Sequence, residues 1–428
     1  MTATDTHRAI EAVFRIEQAK LIAGLTRLVR DVGLAEELAQ DAHLAALERW
    51  PLEGMPDHPA AWLMTAAKRR AIDWLRHHQM RSRKEPELSR ELEAQLAAAR
   101  PGPDAAAEAA DEGIDDDLLR LMFIACHPLL SADARVALTL RLLGGLSTEE
   151  IARAFLVPEP TIAQRIVRAK RLLAKRRVPF ETPRGAELGA RLASVLEVIY
   201  LIFNEGYTAT AGEDWMRPAL CEEALRLGRM LAELAPAEPE AQGLAALLEL
   251  QASRIPARTD AAGEPILLPD QDRARWDRLL IRRGLERLAR ATALGFEPGP
   301  YVLQAEIAAC HARAPRAQDT DWPRIAALYD ALARCQPSPV VELNRAVAQA
   351  MAHGPAAGLA RVDALRDEPL LRNYHLLPSV RGDLLARLGR HEEARAEFER
   401  AAHLARNVRE RELLRARAAA QAQAAQAS

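Results

Sequence analysis

Between Pro160 and Phe180 the chain places seven Lys or Arg and no acid. That density suits neutralising phosphates rather than moving protons or holding a metal. Upstream, Ser147 and Glu150 in "LSTEEIARAFLVPEPTIAQRIVRAKRLLAKRR" have the spacing of a capping box, followed by apolar Ile151, Ala154 and Phe155. Pro158 and Pro160 stop that short helix, because each removes a donor and disfavours helix in the residue before it. Thr161 with Gln164 repeats the box spacing, so a second cap is expected to open a helix whose inward face is Ile162, Ile166, Ala169 and Leu173. Two helices joined by a tight turn make a helix-turn-helix. Gln164, Arg165 and Arg168 fall opposite the apolar stripe near the start of the second helix, where such a helix reaches base edges in a major groove. Lys170, Arg171, Lys175, Arg176 and Arg177 follow at positions that reach phosphates. A run of charge is often only a solvated face; two box spacings around a proline turn and the lack of any acid argue for the functional reading here.

A second cluster has another character. In "WLMTAAKRRAIDWLRHHQMRSRK" seven cations, Lys68, Arg69, Arg70, Arg76, Arg81, Arg83 and Lys84, accompany Trp62 and Trp74. Aromatic rings stack on bases that have left a duplex while cations follow the backbone, each stack being worth about 1 to 3 kcal/mol. A core anchor is the plainer role for Trp62. His77 and His78 are sequence neighbours and point apart on a helix, which argues against a shared metal.

Competing chemistry is missing from the sequence. It has no Gly-rich phosphate loop, GxSxG elbow, HExxH or Cys/His set at ligand spacing, so no enzyme activity, cofactor or metal centre is expected. Cys126, Cys221, Cys310 and Cys335 are scattered and are expected as small buried hydrophobes in a reducing cytoplasm. No apolar run reaches membrane-spanning length, and the N-terminus lacks the pattern of a secretion signal.

The elements that must position these clusters are helical. Aromatics make up 4% of 428 residues, and Ala, Leu, Arg and Glu dominate, which predicts an all-α fold of several domains. Residues 8 to 50 read as two amphipathic helices broken near "RDVGLAEE", followed by a proline-rich loop, Pro51 to Pro59. Seven acids without a base lie between Asp104 and Asp117, so the net charge of −2 conceals segregated charge. The expected organisation is a helical bundle at 1–85, a flexible acidic linker at 86–117, the helix-turn-helix domain at 118–182 and a helical repeat domain at 190–428. Within the last, Gly382, Gly389, Ala394, Phe398 and Ala401 have tetratricopeptide-like spacing, and Gly354 precedes Gly389 by about one repeat. "RTDAAGEPILLPDQDRARWD" reads as a long loop interrupting the stack, and "ARAAAQAQAAQAS" as a helix fraying into a disordered tail.

These motifs resemble those of the extracytoplasmic-function sigma factors, promoter-recognition subunits of bacterial RNA polymerase. "AEELAQDAHLAALERWP" is similar to the family's polymerase-clamp helix, and "AWLMTAAKRRAIDWLRHH" to its minus-ten melting region. "LSTEEIARAFLVPEPTIAQRIVRAKRLL" is similar to region four, the minus-thirty-five reader. The family often has Asn where Arg69 stands and a turn glycine where Leu156 stands. "FNEGY" (203–207) and "LPDQDRARWD" (268–277) resemble a subgroup with a fused, tetratricopeptide-like extension that is needed for, or regulates, activity.

The resemblance implies that the protein binds core RNA polymerase and directs promoter-specific initiation without being an enzyme. Glu36, Glu37, Leu38, Gln40 and Asp41 would dock on the clamp of the largest subunit, and the region-four domain on the flap of the second largest. Lys68, Arg69, Arg70, Asp73, Trp74, Arg76 and His77 would handle the minus-ten element, with a flipped base received by the loop Pro51 to Pro59. Thr161, Gln164, Arg165, Arg168, Lys170, Arg171, Lys175 and Arg176 would handle the minus-thirty-five element. The C-terminal domain would meet a protein partner or contact the rest of the chain, with no membrane involved. Two other readings stay open on the residues alone: a helix-turn-helix activator with a helical sensor domain, and a peptide-binding scaffold.

Overall fold

The computed structural model describes residues 3–79 and 114–427. Every regular element among them is a helix, and the chain forms two compact units, 1–199 and 200–428. None of the helices is long and apolar enough to cross a membrane, among the described residues.

In the first unit α1 (Ala3–Val29), α2 (Val32–Glu53) and α3 (Pro59–Gln79) form a bundle around Phe14, Leu21, Leu25, Leu38, Trp50 and Leu63. Arg30 breaks α1 from α2 by entering the left-handed region at φ 54°, and Asp31 then caps α2 by accepting from the Leu34 N–H at 3.0 Å. The loop expected from Pro51 starts three residues later: Pro51 sits in the last turn of α2, which Gly54 closes at φ 88°. Trp62 packs edge-on against buried Trp50 with centroids 5.3 Å apart, the anchoring role expected of it.

α4 (Ile114–Ala125), α5 (Ala132–Leu142), α6 (Thr148–Phe155) and α7 (Glu159–Lys175) complete this unit. Helix α4 starts inside the segment expected to be a flexible linker. Its Asp117 is 2% exposed and forms ion pairs with Arg27 (3.3 Å) and Arg120 (2.9 Å), so partners from two helices hold this acid in place. The remaining linker, 86–113, lies outside the described residues.

The Ser147–Glu150 box forms in both directions, at 2.7 and 3.0 Å. Leu156 then makes the turn in the left-handed region at φ 51°, a conformation that glycine adopts more readily. The second cap is a correction. Helix α7 begins at Glu159 with Pro158 as its N-cap, so Thr161 lies within the first turn and caps nothing. Proline is preorganised for the start of a helix and lacks the N–H that a capping side chain would satisfy. The inward face, Ile162, Ile166, Ala169 and Leu173, is buried as expected.

Helix α8 (Ala186–Tyr207) begins in the first unit. Arg191 donates to the Phe123 carbonyl at 2.8 Å, Ser194 to the Cys126 carbonyl at 2.5 Å, and Arg135 to Glu197 at 2.8 Å. This compact body therefore extends past residue 182 to Ile199.

The second unit continues through α9 (Pro218–Leu234), α10 (Pro239–Ala252), α11 (Arg278–Ala293), α12 (Pro300–Arg313), α13 (Trp322–Cys335), α14 (Pro339–His353), α15 (Pro355–Ala364), α16 (Leu376–Arg387), α17 (His391–Leu404) and α18 (Val408–Ala427). Short 3₁₀ turns interrupt the long loop before α11. Close helix approach relies on missing side chains: a Cβ on Gly382 would lie 2.9 Å from the Phe398 ring, and one on Gly358 2.5 Å from the Ala350 Cβ. Contrary to the expected fraying, α18 stays helical to Ala427; its start is fastened by fully buried Asn407, whose side chain donates to the carbonyls of Ala209 (3.2 Å) and Asp214 (2.8 Å). Cys335 is exposed, unlike the other three cysteines.

Candidate nucleic-acid interface

Along α7 the outward residues divide into two sets. Gln164, Arg168, Arg171, Lys175 and Arg176 are exposed, whereas Thr161 is half-buried. Arg165 and Lys170 are already engaged within the unit: Arg165 pairs with Asp133 at 2.8 Å, and Lys170 bonds to Glu36. The Lys170 contact could not be read from local sequence, since its partner is 134 residues away.

Glu36 is 5% exposed, and its two carboxylate oxygens are divided between Lys170 and the Arg141 Nε at 2.6 Å. Arg141 also donates to the Leu146 carbonyl at 3.2 Å, and its own carbonyl accepts from Gln18 at 3.1 Å. This seam joins α2 to α5 and α7, so a residue expected to meet polymerase and one expected to meet DNA neutralise each other. Glu37 and Asp41 are exposed on another side of α2, in helical register with Leu44 at 56% exposed. Leu38 is core and Gln40 is half-buried. The five expected docking residues therefore do not share one open face. Adjacent positions on a helix are turned about 100° apart, which separates Glu36 from Glu37.

The other cluster surrounds a groove of about 700 Å³ whose walls include Arg49, His58, Trp62, Arg69, Arg70 and Asp73. A cavity of this size takes a flat molecule of a few rings. Arg49 and His58 were not singled out from sequence. Arg49 is in the last turns of α2 and His58 in the loop before α3, and a clue lay in that loop's position between the two helices. Asp73 pairs with Arg76 at 3.9 Å, and its carbonyl is 2.7 Å from the His77 Nδ1. Trp74 is half-buried. Lys68 is not part of the groove's wall, and burial, reinforced by Arg27, lowers its pKa against the pull of Asp117. The structure thus brings Arg69, Arg70 and Asp73 together around the groove and sends Lys68 elsewhere. Arg81, Arg83 and Lys84 lie outside the described residues.

Cys126 and His127 do not form a reactive pair. The Cys126 thiol is pushed up to about 12 by burial and lies 3.3 Å from the Thr139 hydroxyl. Among the described residues no group of three or more His, Cys, Asp or Glu side chains is placed to hold a metal.

Comparison with known proteins covers most of the chain. Residues 13–81 match the family described as Sigma-70 region 2, 120–173 match Sigma-70 region 4, and 191–292 match a family of unknown function, DUF6596. An uncharacterized protein of Rhizobium meliloti (strain 1021) is 46% identical over 398 residues, 92% of this chain and 91% of its own length. The ECF RNA polymerase sigma factor SigK of Mycobacterium sp. (strain KMS) is 35% identical over 81 residues, 18% of this chain and 40% of that protein. The probable ECF RNA polymerase sigma factor SigI of Mycobacterium tuberculosis (strain CDC 1551 / Oshkosh) is 26% identical over 172 residues, 40% of this chain and 57% of that protein. The chain therefore spans about half the length of these two named relatives. With regions 2 and 4 in order on one all-helical body and a helical extension behind them, the chain belongs to the extracytoplasmic-function sigma factors of RNA polymerase.

Proposed function

We propose that this sigma factor opens promoters by receiving a minus-ten base in the groove of α2 and α3 while the exposed face of α7 holds the minus-thirty-five element. The groove carries the proposal, because it combines a ring, Trp62, with Arg49, Arg69 and Arg70 and one acceptor, Asp73. A base edge can be read by protein only after the base has left the stack, and a ring with a few polar groups suits that task. On α7, Gln164 and Arg168 would read base edges, and Arg171, Lys175 and Arg176 would hold phosphates.

Glu37, Asp41 and Leu44 present an acidic face with an apolar centre, suited to the clamp of the largest subunit; the region-four body would meet the flap of the second largest. Glu36 and Lys170 join these surfaces only when the seam opens, so the arrangement described is that of the factor away from polymerase. Residues 190–428 would form a tetratricopeptide-like domain that modulates activity; packing of Gly382 on Phe398 and burial of Ala394 and Ala401 support that reading. The protein acts in the cytoplasm and is not an enzyme.

The test is run-off transcription with purified core polymerase on a library of promoter fragments. Promoter-specific transcripts that depend on the added chain are the expected result, and Trp62→Ala with Arg69→Ala should reduce strand opening without removing polymerase binding. A chain that leaves core polymerase unable to initiate would overturn the proposal. A version ending after Ile199 keeps the α8 contacts to Phe123 and Cys126 intact and tests whether the extension activates or restrains.

A further inference from the structure

Among the described residues three that are not glycine adopt left-handed backbone: Arg30 (φ 54°), Leu156 (φ 51°) and Arg177 (φ 48°). Leu156 makes the turn of the helix-turn-helix. The other two line one cavity of about 730 Å³, at the seam between the start of α2 and the end of α7. Left-handed backbone is unfavourable for a residue with a Cβ, and residues held there tend to gather where a ligand is gripped.

The cavity has Arg27, Arg30, Lys170 and Arg177 in its walls and only two acids, Asp31 and Glu181. Arg27 shares Asp117, and Lys170 shares Glu36. Asp31 is committed to capping α2. The side chains of Arg30 and Arg177 have neither hydrogen bond nor ion pair among the described residues, and both are exposed. Val32, Ile124, Pro179 and Phe180 supply apolar surface in the same cavity. Two unpaired guanidiniums beside a lysine suit a group with several anionic oxygens, and an apolar wall suits a flat body attached to it.

We propose that this cavity binds a nucleotide through its diphosphate, with Arg30 and Arg177 taking the phosphate oxygens and Phe180 meeting the ring. Because its walls come from the end of α1 and the turn into α2 on one side and from α7 and the residues after it on the other, an occupant holds the seam shut. Glu36 and Lys170 then stay bonded to each other. This regulatory consequence rests on the polymerase reading above, whereas binding itself does not.

The test is calorimetric titration of the full chain with ADP and with inorganic pyrophosphate. Both are expected to bind, ADP more tightly. Arg30→Gly and Arg177→Gly each weaken both by about tenfold, since a charge-assisted contact is lost. Glycine tolerates the left-handed backbone, so these variants are expected to melt no lower than the parent, which keeps misfolding out of the result. Phe180→Ala weakens ADP and spares pyrophosphate. The site assignment is overturned if neither ligand binds at millimolar concentration, or if both glycine variants bind as the parent does. In a second arm ADP lowers the affinity of the parent for core polymerase and does so for Arg30→Gly only at about tenfold higher concentration; ADP binding that leaves polymerase affinity unchanged refutes the fastening role. Promoter-specific initiation without nucleotide effectors bound beforehand reports separately on the sigma reading.

Discussion

Replacing Lys170 with Met keeps most of the aliphatic stem and removes one of the two cations that hold Glu36. The carboxylate is 5% exposed and retains Arg141 at 2.6 Å, so the variant weakens the seam without stripping its acid of every partner. A hydrogen bond to a charged group contributes about 1.5 to 3 kcal/mol when buried. The Lys170 side chain is 22% exposed, which places the loss at the lower end, about 1.5 kcal/mol. If polymerase binds only the open form and that form is minor, apparent affinity scales with the open fraction, so Lys170→Met should tighten polymerase binding about tenfold. Fluorescence anisotropy of labelled protein titrated with core polymerase measures this, and a dye pair placed on α2 and α7 reports the seam directly. Glu36→Gln is the control: it weakens both arms of the seam but alters a proposed docking carboxylate, so its gain should be smaller. Unchanged affinity and unchanged dye separation in Lys170→Met would refute the reasoning, as would a loss of polymerase affinity in Lys170→Met.

Arg168→Ala should cost about 1 to 3 kcal/mol of minus-thirty-five affinity and relax sequence choice at one position, whereas Arg176→Ala should weaken all sequences alike and make the salt dependence shallower by about one phosphate; gel-shift titrations across salt separate the two. Gly382→Ala places a Cβ 2.9 Å from the Phe398 ring and should destabilise the second unit by about 1 to 3 kcal/mol, read as an earlier thermal transition. His311 is 8% exposed and held down to about 3, first by burial and then by Arg254 and Arg273. Its folded pKa lies below the unfolded value of 6.5, so its contribution is fully present above pH 6.5 and is lost as pH falls from there toward 3. The melting temperature of the parent should therefore drop over that interval more steeply than that of His311→Phe; parallel pH profiles would show that the histidine does not titrate as described.

The positions legible in the sequence were those set by local physics. Ser147 and Glu150 lie within one turn of each other, and Ile162, Ile166, Ala169 and Leu173 recur at the helical period, so the first cap and the buried face of α7 could be read directly. Competition between local signals was harder to judge. Thr161 had a suitable neighbour, but two prolines just before it had already set the start of α7. Arg49 and His58 became part of the groove only because α2 and α3 fold back on each other around Trp50 and Trp62.

By itself the sequence determined helices, their inward faces and the segregation of charge, since each depends on residues a few positions apart. Tertiary structure decided which charges remain available. Glu36 and Lys170 are 134 positions apart, yet they neutralise each other, and Asp117 became an anchor when Arg27 came within 3.3 Å. An ion pair depends on distance in space, and for chain segments so far apart that distance is set by packing of the whole body.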